Sequence, residues 1–248
     1  MRHLLRILLL GLALIGSVAH VEAKSYLAVD RHAQNAPKVS SEIKLKQVVK
    51  YLTGPFSDDE NKARAIYAWI VYHIDYDTYK FNVFLDNQKR GRSNAVPEVD
   101  SILKTHAGIC EDIAPLFVKM AQYAGLEAVT ITGIAANNMA ITRRTADEFA
   151  HVWAAVKING DWEYVDPTWA IGSNQIFSNI TNDVAYRRQM KARVHDDKTY
   201  EARKDRSVSN EWFMTDKDEM IKTHFPDDDR WQLQKRHISR NRFLRKTQ

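Results

Sequence analysis

The chain has 248 residues, 36 Lys and Arg against 31 Asp and Glu, a formal charge of +5 and one cysteine. That length is enough for a single domain with a substantial core. The mild charge lacks the strong basic bias of a nucleic-acid binder. One cysteine excludes an intrachain disulfide and a multi-thiolate metal site.

Arg2 and Arg6 open the chain, Ile7 to Ala19 is an apolar run, and Val21 and Ala23 offer small residues at the −3 and −1 cleavage positions. This pattern predicts a secretory signal peptide over 1–23, with export to the periplasm or outside the cell. The run falls short of the roughly 20 apolar residues of a membrane span, so an uncleaved anchor is the alternative. A leftover cysteine in an exported chain implies intermolecular pairing or a reactive thiol.

Residues 24–39 are polar and read as a lead-in. Ser41 to Thr53 predicts a helix, because Leu45, Val48, Val49 and Leu52 recur at helical spacing and Gly54 and Pro55 end it. Ser57 to Glu60 has a capping-box pattern, and Ala63, Ile66, Tyr67, Ile70 and Ile74 then share one helix face. Tyr76 to Pro97 lacks periodicity and reads as a long loop, a class usually functional or disordered. Val99 to Thr105 predicts a short helix. Another follows Cys110, carrying Ile113, Leu116, Phe117, Met120 and Ala124 as far as Gly125. Pro115 suits that helix if Asp112 is the N-cap, which places the proline in the first turn.

Val129 to Ile134 predicts a strand. His151 to Ile158 and Asp161 to Trp169 then flank Asn159-Gly160, the strongest short hairpin signal. A two-residue turn pairs Ile158 with Asp161, which sets the register. His151 and Trp153 then share a face with Asp166, and His151 and Asp166 are diagonal neighbours within side-chain reach. The other face carries Val152, Ala154, Val156 and Val165 and should pack on the core.

A lone cysteine is often just a core residue. Here it lies at a helix start, where partial positive charge favours thiolate, and the hairpin supplies a histidine beside a carboxylate. These are the parts of covalent catalysis at an amide: Cys110 as nucleophile, His151 as base and acid, Asp166 holding the imidazole tautomer. The Cys110 backbone N–H is one oxyanion donor; the sequence names no second.

Gly108-Ile109-Cys110-Glu111-Asp112, His151-Val152-Trp153 and Val165-Asp166-Pro167-Thr168-Trp169 resemble three signature blocks of the transglutaminase-like superfamily. The helix Lys62 to Ile74 ending in Tyr76-Asp77, and the run Thr223-His224-Phe225-Pro226 with Trp231-Gln232-Leu233, are similar to the branch that holds the kyphoscoliosis peptidase and its bacterial relatives. The resemblance implies an α+β, papain-like core with N-terminal helices packed on an antiparallel sheet. It implies the same roles for Cys110, His151 and Asp166. Pro115 departs from the family pattern.

The expected reaction is hydrolysis of a protein or peptide amide through a thioester, with transglutaminase-type crosslinking as the second reading and a non-catalytic binding module as the competing class. No cofactor or metal is called for, since none of the nine histidines pairs with a ligand at a usual metal spacing. His73 and His106 read as fillers, and His224 has no assigned partner. Asn179 heads a glycosylation acceptor triplet only in a eukaryotic pathway, and Arg187 to Arg206 reads as a solvated face. The domain is expected over 24–234. The tail 235–248, with Lys235, Arg236, Arg240, Arg242, Arg245 and Lys246 and no acid, reads as solvated or as a dock for an anionic envelope surface.

Overall fold

The computed structural model describes residues 25–37, 39, 41–93, 98–136, 141, 145–172 and 206–246. The expected signal segment, Asn179 and most of 187–206 lie outside the described residues. No helix among the described residues is long and apolar enough to cross a membrane.

The polar lead-in is a helix, α1 (Leu27–Gln34), which buries Val29 and Ala33. It packs on α3 (Asp59–His73), as does α2 (Glu42–Thr53). Helix α3 is capped by Asp58, whose side chain accepts the Asn61 N–H, and not by Ser57. Every residue from Ala63 to His73 is buried, including Trp69 and Tyr72, so α3 is a central helix enclosed on all sides.

Strand β1 (Asp75–Tyr76) pairs in parallel with β2 (Ala107–Gly108), which leads directly into the cysteine. Between them, where a loop was expected, runs α4 (Thr78–Lys89), followed by α5 (Val99–Thr105). Asp77 caps α4 by accepting the Lys80 N–H, and Phe81, Phe84 and Leu85 turn inward at helical spacing. That short apolar stripe is diluted by polar residues, which is why the segment reads as aperiodic.

Helix α6 (Cys110–Tyr123) packs against a five-stranded antiparallel sheet. Its strands are β3 (Ala128–Ala135), β4 (Ala150–Ile158), β5 (Asp161–Val165), β6 (Phe213–Thr215) and β7 (His224–Pro226), in the order β6-β5-β4-β3-β7. The hairpin register is the expected one: Ile158 faces Asp161, Val156 faces Glu163 and Ala154 faces Val165. The return strand is shorter than expected. It ends at Val165, and Asp166 caps a helical turn, α7 (Pro167–Ala170), with proline at its first position.

The two faces of the hairpin separate as the alternation requires. Ala154, Val156, Ile158 and Val165 join the main core with α3 and α6. Trp153, Ala155 and Tyr164 join a second cluster with Trp169, Trp212 and Met220, so the histidine-bearing face is covered too. Trp162 and Tyr164 both engage Trp231 there: the two indoles meet edge to face, and the Tyr164 hydroxyl donates to the Trp231 carbonyl.

The C-terminal stretch is only partly a tail. After α8 (Lys217–Met220) and β7, residues Arg240–Lys246 form α9, which buries Phe243 and Leu244 against Phe225, Ile134 and Ile221. Its Arg242 and Arg245 remain exposed. A charge-dominated sequence hid a two-residue apolar anchor.

Candidate active site

Three loop-to-element junctions supply the expected site residues. Cys110 is the first residue of α6, with Ile109 as the N-cap in extended conformation. This corrects the expectation that Asp112 is the cap. Asp112 sits in the first turn, where its carboxylate accepts the Ile109 N–H at 2.9 Å and pairs with Lys80 Nζ at 2.6 and 2.8 Å. Pro115 therefore falls past the first turn, inside the helix. Gly108 makes the close seating possible, because a Cβ there would lie 2.8 Å from both Asp112 Cβ and Ile102 Cδ1.

His151 stands at the start of β4 and Asp166 just after β5. His151 Nε2 donates to Asp166 Oδ2 at 2.7 Å. Asp166 Oδ1 accepts the Trp169 N–H at 3.0 Å, so one oxygen caps α7 while the other orients the imidazole. The Cys110 thiol lies close enough to the His151 ring to act on its titration. Since Nε2 is taken by Asp166, Nδ1 is the nitrogen left for the sulfur. Cys110 and His151 are 6% and 5% exposed, so both are nearly closed off from solvent.

The structure adds His224, which sequence reasoning left without a partner. Its Nε2 donates to the same Asp166 Oδ2 at 3.1 Å, and its Nδ1 lies 2.8 Å from Thr223 Oγ1. The register explains the meeting. Gly133 is opposite His151 on one side and Ala135 is opposite His224 on the other. Residues 133 and 135 share a face of β3, so both imidazoles rise on that face. Gly133 lets β7 close in: a Cβ there would lie 2.2 Å from the Phe225 carbonyl oxygen. The local hints were Pro226, which suits an edge strand, and the family-like run that holds His224; its place in the sheet is not local information.

Trp153, Trp169 and Trp212 box the His224 ring at centroid distances of 5.1, 4.4 and 5.7 Å. In this dry setting the titrations spread apart. Burial, the largest influence on His151, works to discharge it. The Asp166 charge and hydrogen bond, with the Cys110 interaction, overcome burial and push it up to about 10. Burial likewise discharges His224, and here Asp166 does not compensate, so it falls to about 4. Burial would raise Asp166, but His151 and then His224 hold it well below the usual carboxylate range.

His151, Asp166 and His224 also offer three potential metal-ligand atoms within 4.8 Å of one another. The 2.7 Å separation of His151 Nε2 from Asp166 Oδ2 is a hydrogen bond, whereas two ligands of one tetrahedral zinc lie about 3.3 Å apart. The arrangement is that of a hydrogen-bonded cluster.

These titrations set a pH optimum of stability. A raised His151 stabilises the fold fully below its ordinary 6.5 and loses that contribution as pH climbs toward 10. A depressed His224 does the reverse: its contribution is intact above 6.5 and is lost as pH falls toward 4. Thermal melts from pH 4 to 10 should therefore peak near neutrality. The acid-side decline should be shallower in His224→Gln and the alkaline-side decline shallower in His151→Gln. Unchanged limbs in both variants would refute the assignment.

A helix start bearing a thiol, set against an antiparallel sheet that bears a histidine–aspartate pair, defines a papain-like α+β domain. Residues 46–167 match the family model for the transglutaminase-like superfamily, and the chain carries a domain of that superfamily. It is 29% identical over 202 residues to the human kyphoscoliosis peptidase, covering 81% of this chain and 26% of that protein. It is 27% identical to Hillarin of Drosophila melanogaster, covering 79% of this chain and 21% of the relative. The chain thus spans about a quarter of the length of these relatives. A solved structure described as a TGase aligns with a TM-score of 0.38 and 15% identity, over 62% of this chain and 35% of that one.

Proposed function

We propose that the protein is a cysteine-dependent hydrolase of protein or peptide amides, exported after loss of residues 1–23. The observation that carries the reading is His151, bonded through Nε2 to a buried carboxylate, with the Cys110 thiol near enough to act on its titration. The word peptidase in the name of the human and mouse relatives agrees with it.

In this scheme the Cys110 proton resides on His151 Nδ1, and the thiolate attacks the substrate carbonyl carbon. The Cys110 N–H, in the first turn of α6 and without an intrahelical acceptor, faces the developing oxyanion. The C–N bond then breaks, and Nδ1 delivers its proton to the departing amine, leaving a thioester. Water next gives a proton to Nδ1 as its oxygen attacks the thioester. The acid departs and the thiolate–imidazolium pair is restored. Asp166 stays ionised throughout and keeps Nε2 protonated.

A thiol-directed acylating probe on the full chain tests this at neutral pH. The wild type should label at Cys110 about 10²- to 10⁴-fold faster than His151→Ala, the usual contribution of a positioned base. Cys110→Ser should lose peptide hydrolysis. Equal labelling of the wild type and the His151 variant would sink the proposal, and hydrolysis surviving in Cys110→Ser would do the same.

A further inference from the structure

We infer that His224 is a positioning residue of this site: a neutral second imidazole that donates its Nε2 proton to Asp166 and fixes the carboxylate against which His151 is oriented. The inference rests on the proposed roles of Cys110 and His151.

Hydrogen-bond accounting leads to it. A carboxylate only accepts, so both imidazole nitrogens aimed at Asp166 Oδ2 must carry protons. Oδ1 is already satisfied by the Trp169 N–H. The carboxylate is thus gripped at both ends and cannot turn about its Cβ–Cγ bond. Without His224, an acceptor site on Oδ2 would be left empty where water does not reach, since Asp166 is 0% and His224 1% exposed.

Thr223 suits this tautomer. With the His224 proton on Nε2, a neutral ring presents a lone pair at Nδ1. The Thr223 hydroxyl, 2.8 Å away, is placed to donate to it and lies nearer to it than to the Met220 carbonyl at 3.3 Å. The titratable groups acting on the ring are Asp166, bonded to it, and His151 across the carboxylate. Its remaining ring neighbours, Trp153, Trp169 and Trp212, carry no charge.

Neutrality matters to the chemistry. A neutral donor stabilises the Asp166 anion without cancelling its charge, so the field that keeps His151 protonated survives. A cationic His224 would compete for that charge and favour loss of the His151 proton. His224 thus acts through Asp166 on the nitrogen that exchanges protons with Cys110, and has no contact with substrate.

Two measurements on the full chain decide the matter. The first is the rate of Cys110 alkylation by iodoacetamide from pH 4 to 10. His224→Leu should slow labelling at neutral pH by about tenfold to a hundredfold, the range for losing a hydrogen bond to a charged group. His224→Gln, whose amide can still donate, should recover most of the rate and the wild-type pH profile. A His224→Leu profile that overlays the wild type overturns the inference, as does a folded His224→Gln no better than His224→Leu. The second is the ¹⁵N spectrum of the wild-type His224 ring, which does not depend on any variant folding. A neutral ring protonated at Nε2 is expected at pH 7; a cationic ring, or one protonated at Nδ1 alone, overturns the inference. If wild-type Cys110 labels no faster than in His151→Ala, the nucleophile assignment fails instead, and the ring spectrum still judges His224.

Discussion

Asp166→Asn should yield a folded protein whose peptide hydrolysis is about 10⁴-fold slower, the loss typical of this change in a nucleophile–histidine–aspartate triad. The reason lies in the donors around the carboxylate. Two imidazole N–H groups point at Oδ2 and the Trp169 backbone N–H points at Oδ1. An asparagine has one accepting oxygen and one donating NH₂, so one side must meet a donor with a donor. The Trp169 N–H cannot change its character, whereas imidazoles can change tautomer. The amide oxygen should therefore turn to Trp169 and the NH₂ to the rings.

Both histidines would then hold their proton on Nδ1. His224 accommodates this, because Thr223 Oγ1 can accept from Nδ1 and pass its own proton to the Met220 carbonyl. His151 does not, since a protonated neutral Nδ1 facing Cys110 cannot take the thiol proton. Steady-state hydrolysis beside a thermal melt checks the prediction. A melting temperature within a few degrees of wild type with a rate near wild type would show that the tautomer of His151 does not govern the reaction.

The same residues show what a linear chain reveals and what it hides. The hairpin register was legible, because Asn159-Gly160 leaves one way to pair its flanks, and His151 beside Asp166 follows by counting. The seat of Cys110 was legible only as a helix start. Its cap was misread, since a buried Asp112 looks like an N-cap until its oxygen is seen reaching back to the Ile109 N–H and out to Lys80. His224 was out of reach, because its meeting with Asp166 depends on β7 closing against a glycine nearly 100 residues earlier in the chain. Helices α1 and α9 were hidden for one reason: each is mostly polar, and each is fixed by two buried apolar residues, Val29 with Ala33 and Phe243 with Leu244.

Helix α1 is also held by charge, and that charge carries the largest stability prediction. Asp30→Ala should cost about 3–5 kcal/mol, the range for stripping one partner from a buried ion pair. Arg64, on the enclosed helix α3, is 0% exposed. Its Nε and Nη2 each lie 2.8 Å from an oxygen of Asp30, a two-pronged pairing that only arginine makes. Tyr26, Tyr67 and Phe213 surround the guanidinium at 4.5, 5.1 and 5.2 Å, and the carbonyls of Val208 and Ser209 accept two more of its protons at 3.2 and 3.4 Å. With Asp30 gone, the cation keeps rings and neutral carbonyls but no counter-charge. Asp30→Asn retains an acceptor and should lose less. The pair Asp30→Leu with Arg64→Met should lose less than the sum of its two single changes, because no charge is then stranded. Urea midpoints for these variants give the comparison, and a cost under about 1 kcal/mol for Asp30→Ala would mean that the Arg64 charge is balanced without it. The effect should also reach the active site. The carbonyls that Arg64 holds precede Trp212, whose own carbonyl accepts the Asp166 N–H at 2.9 Å and whose indole packs on His224. Loosening the Arg64 pair should therefore slow Cys110 labelling before the fold is lost.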